Sequence, residues 1–286
     1  MGWLLVEIMR RYWLPIKNSL NVGDIVQIED EIFHHIFDVC RQDIGSHFEI
    51  LGDQQNAHLV KVLSKDKKRA KAEIIETRQL PALPTPRIVL ALSVPRFPVL
   101  EAVLEKAVEM GVSRIQPFFS DNSFVRKQSS WPEAKSERWK KIIVSATQQS
   151  GRGDLMQFPD PVDLDQLLVE IKNQNSQAPI NPASREHGLS SSKDGTGKII
   201  KGLFAFEGET TLNISEALAN FQAQQADEIW IFVGSEGGFS HTEVEKFRQA
   251  GLEPISLGDQ VLRVETACIT LIAILKYELG HMRRHQ

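Results

Sequence analysis

A chain of 286 residues with 42% hydrophobic and 24% charged residues is long enough for two domains, and its composition is that of a folded protein. The formal net charge of −4 excludes a histone-like polycation, so a nucleic acid would have to be bound by a local basic surface. The two cysteines form no CxxC pair, the N-terminal apolar run is too short for a signal peptide, and no run of about 18 apolar residues is present to cross a membrane. We therefore expect a cytoplasmic protein with two small, buried, reduced cysteines.

Residues 1–80 are predicted to form a small β-rich domain. Polar and apolar residues alternate, with the period of a half-buried strand, over residues 23–28, 48–51, 58–63 and 70–75. A helical spacing of apolar residues, over residues 31–40, separates the first two of these strands. Short strands at this spacing favour a compact barrel. Three prolines then fall within residues 81–86, which we interpret as a stiff linker between two domains.

In residues 87–286, runs typical of buried strands alternate with helical patterns, which predicts an α/β domain with a parallel sheet covered on both faces. The predicted strands are residues 88–94, 114–119, 200–206, 229–233 and 254–258. The predicted helices are residues 99–110, 132–149, 164–171 and 214–221, with a strongly apolar helix over 267–275. Residues 172–198 are rich in Asn, Ser, Gln, Gly and Pro, and we expect a mobile surface insertion there.

Three of the predicted strands end on a glycine, at Gly208, Gly234 and Gly258. Because glycine lets the backbone approach a ligand closely, this pattern predicts a main-chain pocket at one edge of the sheet, suited to adenine and ribose; three ordinary turns are the alternative. The loop after Gly234 contains neither a GxxxxGK[ST] nor a GxGxxG pattern, and Glu236 would repel a phosphate. A ligand without phosphates, or with a positive charge, is therefore favoured, and S-adenosylmethionine has both properties.

The residues around these loops have structural and functional interpretations. Ser240 and Glu243 are spaced as a capping box for the following helix, which is a structural role. Arg263 and Glu265 would form either a solvated ion pair or part of a loop that closes over the cofactor. The helix over residues 267–275 is apolar nearly all round. We expect it to be buried by the sheet on one side and by a second subunit, in a two-fold dimer, on the other.

Basic residues gather in three clusters on this mildly acidic chain. The clusters favour the hypothesis that the protein contacts RNA, and solvated charged faces are the alternative. The clusters are residues 10–11 beside Tyr12 and Trp13, residues 65–71, and residues 126–152. The adjacent His34 and His35 have no metal-ligand spacing with other His or Cys residues. No metal site is therefore predicted.

Two C-terminal segments carry the most specific motifs, FVGSEGGFS at residues 232–240 and LGDQVLRVETA at residues 257–267. They resemble the GPEGG(F) loop and the LGxxILRxETA segment of the 16S ribosomal RNA uracil-N3 methyltransferases, the RsmE family of SPOUT methyltransferases. Weaker similarities to that family are KAVEMGV at 106–112, ERW at 137–139, QSGR at 149–152, HHIFDVCR at 34–41 and RRYW at 10–13. The chain departs from the family pattern at Ser235, Val264 and Gln148, where the family has proline, threonine and glutamate.

The resemblance implies a fold and a reaction. The implied fold is a SPOUT-type parallel sheet with a C-terminal trefoil knot, preceded by an N-terminal PUA-like β-barrel that binds RNA, in an obligate homodimer. The implied reaction is S-adenosylmethionine-dependent methylation of N3 of a specific uridine in the 16S ribosomal RNA of the small ribosomal subunit. The alternatives are a methyltransferase for a ribose 2′-hydroxyl or a transfer RNA, and a non-catalytic RNA-binding assembly factor.

The matching positions also define the expected site residues. The expected catalytic residues are Arg152, Arg263 and Glu265, with the arginines positioning RNA or stabilising the uracil as its charge develops. RNA would be bound by Arg10, Arg11, Arg41, Arg126 and Arg152. The cofactor would be bound by Phe204, Phe206, Glu207, Gly234, Ser235, Glu236, Gly237, Gly238, Leu257, Gly258, Val261, Leu262 and Thr266. The group that removes the N3 proton is not assigned.

Overall fold

The computed structural model describes residues 9–16, 19–52, 55–177, 197–208 and 214–283. The chain divides into two compact units, one formed by residues 1–82 with 141–155 and the other by residues 83–140 with 156–286. The sequence predicted one domain at residues 1–80 and another at 87–286. The structure therefore adds to the first unit a later segment, residues 141–155, that the pattern of strands and helices had placed in the second.

The first unit is built on a five-stranded sheet, and the four strands predicted from alternating residues are all present in it. Its strands are β1 (Arg11–Trp13), β2 (Ile25–Glu29), β3 (His47–Leu51), β4 (Asn56–Lys65) and β5 (Arg69–Gln79), in the order β1-β3-β4-β5-β2. Among the described strands of this unit, β1 and β3 are parallel, and the other pairs are antiparallel. The predicted helical segment is also confirmed, as α1 (Asp30–Phe33) and a π-helical turn (His34–Val39) that buries Ile36 and Phe37.

The second unit contains a six-stranded sheet in which every pairing is parallel, as predicted for an α/β domain. The strand order is β11-β9-β10-β6-β7-β8. The strands are β6 (Arg87–Ser93), β7 (Arg114–Phe119), β8 (Val162–Asp163), β9 (Ile200–Ala205), β10 (Glu228–Val233) and β11 (Glu253–Ile255). The central strands β6 and β10 are buried along nearly their whole length, which explains why their sequences are continuous apolar runs rather than alternating ones.

Helices connect these parallel strands. They are α2 (Phe97–Glu109), α3 (Ser136–Ser150), α4 (Leu164–Gln177), α5 (Ile214–Ala223), α6 (His241–Gln249) and α7 (Val264–Glu278). The boundaries follow local chemistry. Helix α2 has Pro98 in its first turn and ends before Gly111, whose φ of +74° is left-handed. Helix α6 begins at the predicted capping box, in which the Ser240 hydroxyl accepts from Glu243 N–H and the Glu243 side chain accepts from Ser240 N–H.

Some sequence-based boundaries are wrong, and each has a local cause. The helix predicted over residues 132–149 begins only at Ser136, after a short 3₁₀ turn (Glu133–Lys135) that follows Pro132. Helix α4 extends to Gln177, so its last residues overlap the insertion predicted over 172–198. Asn175 explains this extension, because its amide exchanges two hydrogen bonds with the backbone of Ile200, at 2.7 and 3.0 Å. Residues 178–196 lie outside the described residues.

The cysteines differ from the prediction in one respect. Cys268 is fully buried in α7, as expected. Cys40 is only half-buried, because it follows the π-helical turn at the surface of the first unit, where its Sγ lies 3.8 Å from His35 Nε2.

Candidate active site

The predicted pocket is present as a cavity of about 560 Å³ at the carboxyl ends of β9, β10 and β11. The loops that follow these three strands line it together, and the N-terminal turn of α7 completes the wall. This is the place where parallel α/β sheets bind ligands. The volume lies within the range of about 300–1,000 Å³ that is typical of small-molecule sites.

The structure brings most of the predicted cofactor residues together around this cavity. Those that line it are Phe206, Glu207, Gly234, Ser235, Glu236, Gly237, Gly238, Leu257, Gly258, Val261 and Leu262. Two predicted residues are not part of the lining. Phe204 is fully buried beneath it, stacked on Phe247 at 4.9 Å between ring centroids, and Thr266 is exposed on α7. Gly208, one of the three strand-ending glycines, is also absent from the wall.

Several lining residues were missed by sequence reasoning. The most informative are Arg96 and Val99, which come from the connection between β6 and α2 and from the first turn of α2. Nothing in their local sequence resembles a ligand-binding motif. Their position follows from strand order, because β6 lies beside β10 in the sheet and both strands end at the same edge. Only the topology therefore reveals that this connection belongs to the site.

Glycine is required at Gly234 for a steric reason. A Cβ atom added there would lie 2.9 Å from Gly238 Cα and 3.0 Å from Gly238 C, which are backbone atoms of the same turn. Gly238 itself has a left-handed φ of +64°, and its N–H donates to Ser235 O at 2.9 Å. The glycine-rich motif thus encodes a tight turn whose peptide groups form one wall of the cavity.

The charges around the cavity are mixed. Among the residues that the structure describes, three carboxylates line it, from Glu207, Glu236 and Glu265, together with the guanidinium groups of Arg96 and Arg263. The two arginines add positive charge that the sequence of the glycine-rich loop itself does not contain. Glu236 is held in place because its Oε1 accepts a hydrogen bond from the backbone N–H of Arg96 at 3.1 Å. With three acidic and two basic side chains, the lining suits a neutral or cationic ligand better than a phosphate.

The predicted catalytic pair is brought to the cavity. Arg263 is the N-cap residue of α7 and Glu265 lies in the first turn of that helix, and both line the wall. A carboxylate in the first turn is stabilised by the helix dipole. The third predicted catalytic residue, Arg152, belongs to the first unit. Its side chain is 8% exposed, and its Nη2 lies 3.0 Å from Asp154 Oδ2.

The predicted RNA-binding arginines have different environments. Arg10, Arg41 and Arg126 are exposed, so their side chains are accessible to a phosphate backbone. Arg11 is part-buried and donates through Nε to Glu49 Oε2 at 2.9 Å. Its guanidinium also lies close to Gly151, where an added Cβ would be 2.9 Å from Arg11 Nη1. Arg11 and Arg152 therefore have structural contacts in the first unit. Arg10 is exposed but donates through Nη1 to Cys40 O at 3.0 Å.

No group of three or more His, Cys, Asp or Glu residues in the described part of the chain is arranged to hold a metal ion. No helix within the described ranges is long and apolar enough to span a membrane.

Comparisons with known proteins find a matching family and similar sequences. Residues 81–276 match the RNA methyltransferase domain family. A ribosomal RNA small subunit methyltransferase E from Mesomycoplasma hyopneumoniae (strain 232) is 31% identical over 202 residues, covering 71% of this chain and 74% of that relative. One from Buchnera aphidicola subsp. Schizaphis graminum (strain Sg) is 26% identical, covering 93% of this chain and 96% of the relative.

A solved structure is also similar. The crystal structure of a ribosomal RNA small subunit methyltransferase E from Neisseria gonorrhoeae, bound to S-adenosyl methionine, aligns with a TM-score of 0.72 at 24% identity, covering 94% of this chain and 97% of that chain. At this identity the likeness supports the fold. The family match and the relative at 31% identity show that the chain belongs to the ribosomal RNA small subunit methyltransferase E family and carries its RNA methyltransferase domain.

Proposed function

We propose that this protein transfers a methyl group from S-adenosylmethionine to N3 of a specific uridine in the 16S ribosomal RNA of the small ribosomal subunit. The observation that carries the proposal is the cavity of about 560 Å³ whose lining includes the two loops with sequences that resemble the family motifs. Family membership supports the reaction class. The uracil N3 target rests on the resemblance of these loops to the GPEGG(F) and LGxxILRxETA segments.

The lining fits the proposed cofactor. Its peptide groups come from a tight turn in which Gly234 excludes a Cβ and Gly238 has a left-handed φ, so main-chain donors and acceptors can approach a nucleoside closely. Apolar side chains, among them Leu257 and Leu262, provide surface for a flat base. The three carboxylates favour the positive charge of the sulfonium. When bound, S-adenosylmethionine supplies an electrophilic methyl group.

The protein's own residues would act mainly by positioning and by electrostatics. Holding two reactants in line contributes about 7–11 kcal/mol in well-oriented reactions. Uracil gains negative charge as its N3 proton is lost, and we assign the stabilisation of that charge to Arg263, because it lines the cavity. We assign Arg152, which is largely buried against Asp154, to shaping the first unit rather than to direct contact with uracil. Glu265 would steady the N-terminal turn of α7 beside Arg263.

We further propose a homodimer formed through α7. This helix buries Cys268, Leu271 and Leu275 within its own unit. A second apolar stripe at helical spacing is only half-buried, at Ile269, Ala273 and Ile274, and continues to Tyr277, which is 73% exposed. Such a stripe is typical of a subunit interface. Tyr277→Glu should convert a dimer to a monomer in light scattering coupled to size-exclusion chromatography; a wild-type monomer would contradict the proposal.

The finer fold assignments, a C-terminal trefoil knot and an N-terminal PUA-like barrel that binds RNA, are proposed from the family resemblance. The exposed Arg10 and Arg41 in the first unit and Arg126 in the second support RNA binding. Because N3 is occupied in a base pair, the target uridine must be unpaired before it reacts.

A methylation assay tests the function. Purified protein and labelled S-adenosylmethionine are incubated with naked 16S ribosomal RNA or assembled small subunits from a strain that lacks the enzyme, and the product nucleoside is identified by mass spectrometry. We expect a 3-methyluridine at one site. A 2′-O-methyl product, or a product only in transfer RNA, would favour a SPOUT enzyme of different specificity. Failure to bind S-adenosylmethionine at high micromolar concentration would favour a non-catalytic assembly factor.

A further inference from the structure

A loop that carries no sequence motif contacts the glycine-rich turn of the cavity. Asn122, which follows β7, donates through Nδ2 to Gly237 O at 2.9 Å and to Gly238 O at 3.3 Å. In the opposite direction, Ser235 Oγ donates to Asn122 O at 2.6 Å. Although Asn122 and Gly237 are 115 residues apart in sequence, the turn is thus restrained at its beginning and at its end by one residue.

Asn122 does not line the cavity, but the residues that it holds do. Gly237 and Gly238 have no side chains, and Gly238 lies in the left-handed region, so within the turn their peptide groups are held by the Gly238 N–H bond to Ser235 O and not by side-chain packing. The Asn122 amide adds a second restraint, because its two N–H bonds can satisfy both carbonyl oxygens at once. A rotation of either peptide would change the wall that the ligand meets.

The loop that carries Asn122 is itself firmly anchored. Ser93, at the end of β6, has its hydroxyl 2.6 Å from Ser120 Oγ and 3.0 Å from Ser123 Oγ. Ser120 N–H also donates to Ser123 Oγ at 2.8 Å, and all three serines are buried. A buried, hydrogen-bonded cluster of this kind rigidifies its surroundings. On the other side, Asp121 N–H donates to Glu243 Oε1 at 2.9 Å, and Asp121 Oδ2 accepts from the Ser240 hydroxyl.

We propose that Asn122 is a positioning residue for methyl transfer, which fixes the peptide groups of Gly237 and Gly238 in the conformation that binds the cofactor. The inference rests on the proposed function, because it assumes that S-adenosylmethionine occupies this cavity. It also gives a role to the departure at Ser235. A proline there would restrain the backbone through its ring, whereas in this chain the serine hydroxyl restrains the turn by bonding to Asn122.

The test compares dissociation constants for S-adenosylmethionine, measured by calorimetry on the full-length protein. Asn122→Ala removes the donors of two solvent-exposed hydrogen bonds and should weaken binding about 3- to 10-fold. Asn122→Asp keeps the shape but turns carboxylate oxygens toward the two carbonyls, and should weaken it about 10- to 30-fold. Asn175→Ala is the matched control, because that amide holds the backbone of Ile200, at the opposite end of β9 from the cavity, by the same chemistry. It should lower the melting temperature without changing the dissociation constant.

Two further readouts separate positioning from general structure. In methylation assays, the Asn122 variants should raise KM for S-adenosylmethionine while kcat at saturating cofactor stays within about twofold of wild type. Gly237→Ala would place a Cβ 2.9 Å from Asn122 Cβ and 3.1 Å from its Cγ. Asn122→Gly removes both atoms, so the double variant should bind no more weakly than Asn122→Gly alone.

The outcomes distinguish the inference from the function on which it rests. If the wild-type protein does not bind S-adenosylmethionine, the proposed function fails and the role of Asn122 fails with it. If the wild type binds S-adenosylmethionine and both Asn122→Ala and Asn122→Asp bind it as tightly as the wild type does, the inference is overturned and the proposed function stands. Losses of affinity that simply multiply in the Asn122→Gly, Gly237→Ala double variant would also overturn it.

Discussion

The substitution Gly234→Ala tests whether the glycine-rich turn is a wall of the cofactor site. The added methyl group would lie 2.9 Å from Gly238 Cα and 3.0 Å from Gly238 C. Both contacts are with backbone, so the turn must move to relieve them. Overpacking of this kind costs about 1–3 kcal/mol. Because the displaced atoms line the cavity, we expect most of this cost to appear in binding, as a loss of affinity for S-adenosylmethionine of about 5- to 150-fold.

Calorimetry with the wild type and Gly234→Ala measures this loss directly. Gly45→Ala is the control, since Gly45 lies in the first unit, has a left-handed φ of +86°, and has no atom within 4 Å of an added Cβ. It introduces backbone strain without a clash and should lower stability by about 1 kcal/mol while leaving cofactor affinity unchanged. If Gly234→Ala binds as tightly as wild type, the cofactor does not lie against this turn, and the reasoning is refuted.

Three other predictions concern stability and reactivity. Glu49→Gln should lower the free energy of unfolding at pH 7 by about 2–4 kcal/mol, because two arginines donate to this carboxylate. Burial raises the pKa of Glu49, but the hydrogen bonds from the arginines lower it by more, so its pKa in the folded protein lies below the ordinary value. The greater stability of the wild type in urea unfolding should therefore disappear as the pH falls through that folded-state pKa. Arg152→Ala breaks a part-buried ion pair and should lower the free energy of unfolding, measured by thermal denaturation, by about 1–3 kcal/mol. It should also weaken methylation, while the affinity for the cofactor measured by calorimetry stays unchanged. Burial raises the pKa of the Cys268 thiol, so iodoacetamide should modify the native protein at Cys40 alone, as mass spectrometry of peptides would show; labelling of native Cys268 would contradict its burial.

The sequence was sufficient for the part of the site that local patterns encode. Apolar runs that stop on glycine predicted the end of β10 at Val233, whereas Gly208 and Gly258 lie beyond the ends of β9 at Ala205 and β11 at Ile255. Two of the three glycines line the cavity. The capping box at Ser240 was likewise readable, because its two residues are only three positions apart. These features depend on neighbours in sequence, which is why composition and spacing reveal them.

The rest of the site depends on strand order, which no local pattern contains. Arg96 lines the cavity because β6 pairs with β10, and Asn122 reaches the glycine-rich turn because β7 pairs with β6. Arg152 shows the converse case. Its place in a motif predicted a functional contact, whereas its burial against Asp154 is a tertiary property that the motif does not specify. Asn175 was likewise assigned to a loop by its composition, although its amide binds the backbone of β9.

The first unit is completed by a segment that the ribosome makes much later. Trp13, Leu51, Ala57 and Leu80 pack in one apolar cluster with Val144 and Leu155, which lie on α3 and shortly after it. When residue 82 has been synthesised, the partners of this cluster are still unmade, so the N-terminal portion cannot reach its final packing until residue 155 has emerged. A chain cut at the proline-rich segment would expose these side chains to water, and expression of residues 1–82 alone should give an aggregation-prone fragment.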